Sequence, residues 1–188
     1  MERTEERAFE INIAGCIRRL PIVRIKDDLR IASFVLLGDA ELTVEAAKEL
    51  VRLAPPADYL ITAEAKGIPL VQEMARQLGM KRYFVARKSI KPYMRDPFVT
   101  EVYSVTTQRK QILCLDREES ELICGRRIVI VDDVISTGES LKAMESLVAA
   151  AGGNVVGRVA ILAEGAAAER KDITFLEPLP TFPVTTSA

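Results

Sequence analysis

The chain has 188 residues, 48% apolar and 28% charged, with 26 basic against 27 acidic side chains. That is enough for one ordinary domain with a real core, and the near-zero net charge disfavours a nucleic-acid binder acting through bulk electrostatics. Histidine is absent, which removes Ser-His-Asp and Cys-His catalysis and the commonest zinc ligand.

The N-terminal MERTEERAFE is charged and mixed in sign, unlike a secretory signal. No apolar run is long enough for a bilayer. Cys16, Cys114 and Cys124 form no close pair and read as reduced thiols of a cytosolic protein. Residues 11–37 alternate apolar stretches with polar breaks, so short strands and turns are expected. A helix is expected over 41–53, with Val44, Ala47, Leu50 and Val51 inward, Thr43 as candidate cap, and Pro55-Pro56 as the stop. Residues 58–63 read as a strand. Residues 68–78 read as a helix, with Val71, Met74, Ala75 and Leu78 on one face and Gly79 closing it. A second strand is expected over 82–86, followed by a Lys-rich stretch over 87–97.

Residues 98–104 and 111–115 look like two strands of a hairpin-like excursion. The run 126–131 is nearly pure β-branched, as suits a central parallel strand covered on both faces. A helix over 140–151 follows, with Leu141, Met144, Leu147, Val148 and Ala151 inward, then Gly152-Gly153 and a strand over 155–163. The tail from residue 177 is rich in Pro and Thr, and its composition allows disorder beyond Phe182. Strands alternating with helices imply crossover units and a parallel α/β sheet, whose ligands sit at the C-terminal strand ends.

The most informative segment is 128–140, IVIVDDVISTGES. Its strand delivers Asp132 and Asp133 to the sheet edge, where two adjacent carboxylates repel and need hydroxyls or a cation between them. A ribose diol supplies the hydroxyls, and Mg²⁺ carried by the ligand would add to this. Ser136, Thr137, Gly138, Glu139 and Ser140 then open a helix. Its unpaired N–H groups and dipole favour a phosphate. Gly138 allows close backbone approach, and the hydroxyls add donors. Upstream, TAEAKGIP places Gly67 for a tight turn and Lys66 for an anion. Arg87, Lys88 and Lys91 repel one another unless an anion joins them.

The ordered pattern at 128–140 resembles the signature of the type I phosphoribosyltransferases, which bind phosphoribosyl pyrophosphate. Glu64, Ala65, Lys66 and Gly67 match the E-A-[RK]-G pyrophosphate loop of the adenine members, and FVARKSIKP is similar to a second pyrophosphate segment, implying contacts from Arg87, Lys88 and Lys91, often across a dimer interface. TEVYSVTT resembles the mobile catalytic loop, with Glu101 and Tyr103 separated by Val102 where the adenine enzymes have an adjacent Glu-Tyr pair. The resemblance covers roughly 29–164. It implies one domain over 1–188, with a hood over 1–40 helped by the C-terminus, a core over 41–177 and a tail over 183–188 that can be disordered. It also implies Mg²⁺ carried by the substrate, a homodimer, and no nucleic-acid or membrane partner.

The hood is most similar to that of xanthine phosphoribosyltransferase. Yet its base-reading asparagine aligns with Leu36, and its lysine facing the 6-oxo group aligns with Gly165. An apolar site tolerates adenine better than a site missing its oxo partner, so adenine is the expected base, with Phe34 stacking on it and Leu36 beside it. The alternatives are a transferase for xanthine or another base, and a non-catalytic sensor of phosphoribosyl pyrophosphate. Sensors of this fold carry an added DNA-binding domain, and residues 1–57 show no basic helix-turn-helix pattern.

Overall fold

In the computed structural model, residues 8–103 and 110–184 are described. The first three strands, β1 (Ala8–Ile13), β2 (Cys16–Lys26) and β3 (Leu29–Ala32), form an antiparallel meander. Ala14 and Gly15, both at positive φ, turn β1 into β2 in the two-residue geometry that suits twisted strands. Ile11, Ile13, Cys16 and Leu20 alternate inward.

Helix α1 (Ala40–Leu53) begins at Asp39, whose carboxylate accepts from the Leu42 N–H at 3.1 Å. Thr43, the expected cap, lies in the first turn, where its hydroxyl donates to the Asp39 carbonyl at 2.7 Å. The inner face is Leu42, Thr43, Ala46, Ala47 and Leu50, which leaves Val44 40% exposed. The small residues Ala46 and Ala47 are fully buried, so the packed side of α1 is rotated from the one expected. Arg18 of β2 reaches Asp39 at 2.6 and 2.9 Å and ties the meander to this helix start.

The chain continues through β4 (Tyr59–Ala63), α2 (Ile68–Gln77), β5 (Phe84–Ala86), the antiparallel pair β6 (Phe98–Tyr103) and β7 (Lys110–Leu115), and α3 (Arg117–Ile123). Then come β8 (Arg127–Ile135), α4 (Glu139–Ala150), β9 (Asn154–Glu164), a short 3-10 turn (Gly165–Glu169), β10 (Thr174–Leu179) and β11 (Thr181–Pro183). The second sheet has the order β10-β9-β8-β4-β5 and every pairing is parallel. In β8, Val129 and Val131 join the core shared with α1 and α2, while Ile128 and Ile130 join that of α4 and α3. The central strand is therefore covered on both faces, as its composition implies.

Three elements depart from expectation. Helix α3 has no counterpart among the expected elements: it is short and polar, but a capping box between Asp116 and Glu119 starts it. It is held down by Ser120 and Ile123, which are buried. Strand β10 extends the parallel sheet beyond β9, and β11 crosses back to pair with β3. Ring contact between Phe9 and Phe182, with centroids 6.0 Å apart, closes this hood sheet. The tail is thus ordered through Phe182 and Pro183 by long-range pairing, and 185–188 lie outside the described residues. The central part of the excursion, 104–109, also lies outside them. No described helix is long and apolar enough to cross a membrane.

Candidate active site

A cavity of about 520 Å³ opens at the C-terminal ends of the parallel strands. Six separate stretches wall it: the end of β3 with the hood segment after it, the β4–α2 loop, the segment after β5, the end of β8 with the loop to α4, the end of β9, and the end of β10. Residues far apart in sequence meet there because parallel strands deliver all their C-terminal ends to one edge.

Asp132 and Asp133 lie near the C-terminal end of β8, in the strand itself, and both line the cavity. The Asp133 N–H donates to the Asp132 carboxylate at 2.9 Å. Asp133 is 5% exposed, and its Oδ2 is buried without a hydrogen-bond partner among the described residues. Burial, and then the neighbouring charge of Asp133, push the Asp132 carboxyl up to about 7. An orphaned carboxylate oxygen at a polar cavity is a costly arrangement that a ligand hydroxyl or a hard cation would relieve. Among the described residues no group of three or more acidic or cysteine side chains is placed to hold a metal ion by itself.

Beyond the strand, Ser136 and Ser140 line the cavity. Gly138 takes φ 80° and precedes α4 without a side-chain cap. The positive φ favours glycine, and a Cβ there would lie 2.6 Å from Arg170 Nη1, the end of a long side chain that could shift to make room. Thr137 turns back to accept from the Glu139 N–H at 3.4 Å, and Glu139 occupies the first helical turn. The open N-terminus of a 12-residue helix is thereby pointed at the cavity.

Across the cavity, Ala65 and Lys66 line the wall. Gly67 is packed against β4, since a Cβ would collide with Thr62 Oγ1. Lys88 and Glu64 are on the wall, whereas Arg87 and Lys91 do not line it. The anion they require is partly supplied by the protein. Glu64 lies 3.7 Å from Arg87, 3.5 Å from Lys91, and accepts the Lys88 N–H at 3.0 Å. That hydrogen bond and the two cations hold the Glu64 carboxyl below its usual range. The Arg87 backbone also pairs with Cys114 of β7 at 2.8 and 2.9 Å, docking the excursion beside this loop.

Phe34 lines the cavity at 6% exposure, with Ser33 and Val35 beside it. Leu36 does not. It is fully buried in the core with Leu42 and Leu50, so its expected place beside the base is corrected. Glu101 lies on β6 opposite Ile112, away from the cavity wall. Several wall residues are not singled out by the sequence, and the charged one among these is Glu164. Glu164 ends β9, immediately before Gly165, and lines the cavity. The rule that ligands meet strand ends is the signal that would have found it.

The cavity thus brings the two aspartates, the start of α4 and two lysines to one edge of the sheet. A family model described as the phosphoribosyl transferase domain matches residues 44–186, and the chain belongs to that family. It is 32% identical to the xanthine phosphoribosyltransferase of Lactobacillus acidophilus over 67% of this chain and 66% of the relative. It is 33% identical to the adenine phosphoribosyltransferase of Corynebacterium efficiens over 71% of this chain and 63% of the relative. The matched segment thus spans just under two thirds of the length of these relatives. The structure of adenine phosphoribosyltransferase from Thermoanaerobacter pseudethanolicus superposes with a TM-score of 0.68 at 22% identity, covering 85% of this chain and 95% of that one. The fold is the type I phosphoribosyltransferase fold.

Proposed function

We propose that this chain transfers 5-phosphoribose from phosphoribosyl pyrophosphate to a purine base, adenine in preference, with release of pyrophosphate. The observation that carries the reading is one cavity joining the orphaned Asp133 carboxylate, the open start of α4, Lys66, Lys88 and Phe34. Relatives named for both adenine and xanthine transfer support the reaction class.

In this mechanism Asp132 and Asp133 accept from the two ribose hydroxyls. The N–H groups of 137–140 and the hydroxyls of Ser136, Thr137 and Ser140 hold the 5-phosphate. As the glycosidic bond to pyrophosphate lengthens, positive charge grows on the sugar and negative charge on the leaving group. Lys66 and Lys88 face the latter directly, and Arg87 and Lys91 come forward from Glu64 to meet it. Mg²⁺ bound with the substrate would supply charge neutralisation of the pyrophosphate, and the paired aspartate oxygens suit the waters of such a cation. Phe34 presents an apolar face to the base. The proposal includes inward folding of the β6–β7 hairpin, carrying Glu101 toward the cavity to exclude water, and a cytosolic homodimer.

The test is to supply purified protein with Mg²⁺ and phosphoribosyl pyrophosphate, and adenine, hypoxanthine, guanine, xanthine, uracil or orotate in turn. Adenosine monophosphate and pyrophosphate in equal amounts are expected. Nucleotide from xanthine but not adenine would replace the base assignment. Tight phosphoribosyl pyrophosphate binding with no product from any base would favour a sensor.

A further inference from the structure

The segment between β9 and β10 brings a cation to the start of α4. Ala167 and Ile173 are buried in the core shared with Leu141 and Met144 of α4, which fastens the segment beside that helix. Between these anchors Arg170 follows the 3-10 turn, and its side chain runs to the β8–α4 loop. A Cβ built on Gly138 would fall 2.6 Å from Arg170 Nη1 and 3.9 Å from the guanidinium carbon. The terminal nitrogen therefore stands over Gly138, in space that the glycine leaves open.

The guanidinium is held by one edge. Its Nε and Nη2 donate to the two carboxylate oxygens of Asp172 at 2.9 and 2.6 Å. Among the described residues Nη1 has no hydrogen-bond partner. Arg170 and Asp172 are 33% and 53% exposed, and an ion pair so open to water contributes little to stability. What the fork does is fix the guanidinium plane, so that less freedom is lost when Nη1 meets an acceptor.

The charges around the loop give that nitrogen a use. Asp132, Asp133 and Glu139 belong to the loop and its flanks, and Lys66 and Lys88 stand on the wall across from it. A cation beside the positive end of a helix is mildly unfavourable until an anion joins them. The buried Asp133 Oδ2, without a partner among the described residues, is an independent sign that a ligand completes this edge.

We infer that Arg170 is a further binding residue for the 5-phosphate, its Nη1 reaching over Gly138 to a phosphate oxygen held by the N–H groups of 137–140. The inference rests on the transfer reading above, which places a 5-phosphorylated ribose at the start of α4. A guanidinium-to-phosphate hydrogen bond is charge-assisted, so the contact favours a sugar with a terminal phosphate over the free sugar. It also joins the β9–β10 segment to the substrate, although that segment carries no part of the 128–140 pattern.

Calorimetry with ribose 5-phosphate, and separately with inorganic pyrophosphate, reads the contact without turnover. Arg170→Met keeps a side-chain stem over Gly138 and removes the charge. Its dissociation constant for ribose 5-phosphate should rise about tenfold, the worth of one hydrogen bond to a charged group. Its affinity for pyrophosphate should not change. Arg170→Lys keeps the charge and loses the fork to Asp172, and it should retain most of the ribose 5-phosphate affinity. Melting temperatures within a few degrees of wild type are expected for both, because the ion pair is exposed. If Arg170 served only to brace the turn, the Lys and Met variants would be impaired alike. That pattern, an unchanged constant in Arg170→Met, or no binding of ribose 5-phosphate to wild type would overturn the inference. Nucleotide formation with unchanged affinity in Arg170→Met would leave the transfer reading intact. A protein that makes no nucleotide from any base, yet loses ribose 5-phosphate affinity in Arg170→Met and keeps it in Arg170→Lys, would lose the transfer reading and sustain the phosphate contact.

Discussion

Replacing Asp132 by asparagine should make the free protein more stable while abolishing its chemistry. The Asp132 carboxyl is pushed up to about 7 by burial and by Asp133. In the unfolded chain an aspartate titrates near ~3.9. Between these values the native state holds a proton that the unfolded state has lost, so wild-type stability falls as pH rises from about 4 to about 7. Above that window the accumulated loss is at most about 4 kcal/mol. The asparagine side chain keeps the acceptor used by the Asp133 N–H at 2.9 Å and removes the charge. Urea unfolding at pH 8 should show the variant with the higher midpoint, by up to roughly 2 M for an m value of about 2 kcal/mol/M. The two proteins should converge near pH 4. A variant less stable at pH 8, or an offset equal at pH 4 and pH 8, would refute the account of strain in the aspartate pair.

Ligand hydroxyls and a cation favour the ionised form, so binding of phosphoribosyl pyrophosphate with Mg²⁺ near pH 6 should release about one proton through Asp132. Calorimetry in buffers of different ionisation enthalpy measures this, and the release should shrink in Asp132→Asn. Gly138→Ala forces φ 80° on a residue with a Cβ and places that atom 2.6 Å from Arg170 Nη1. A loss of about 1–2 kcal/mol in stability and a raised KM for phosphoribosyl pyrophosphate are expected; an unchanged melting temperature would argue against the loop geometry. Glu64→Gln removes the internal counter-charge of Arg87 and Lys91, at 3.7 and 3.5 Å. Inorganic pyrophosphate should then bind several-fold tighter, and weaker binding would show that Glu64 serves mainly to shape the loop.

The parts legible in the sequence are those written in consecutive residues. The run 128–140 holds its strand, its two carboxylates and its helix start without help from elsewhere. Asp132, Asp133, Ser136 and Ser140, which line the cavity, therefore stand out from pattern alone. The same holds for Lys66 and Gly67, which occupy one tight turn. The strands before and after α2 and α4 follow from short, nearly continuous apolar runs, because a parallel sheet covered on both faces demands them.

What the sequence does not decide are positions fixed by register and by distant pairing. Leu36 and Phe34 are two residues apart in one hood segment, and only packing against α1 shows that Leu36 goes into the core while Phe34 reaches the cavity. The chain from residue 177 looks like a loose tail, because nothing local records that β9 and β3 offer open edges to it. Glu64 reads as one letter of a loop motif until β5 brings Arg87 and Lys91 beside it. Asp132 and Asp133 are visible as a pair, but their burial, and hence the raised Asp132 carboxyl, depends on walls from six segments. Local sequence sets which chemical groups exist and which turns they can make. The sheet register decides which of them share a cavity, and the lack of water there gives their charges consequence.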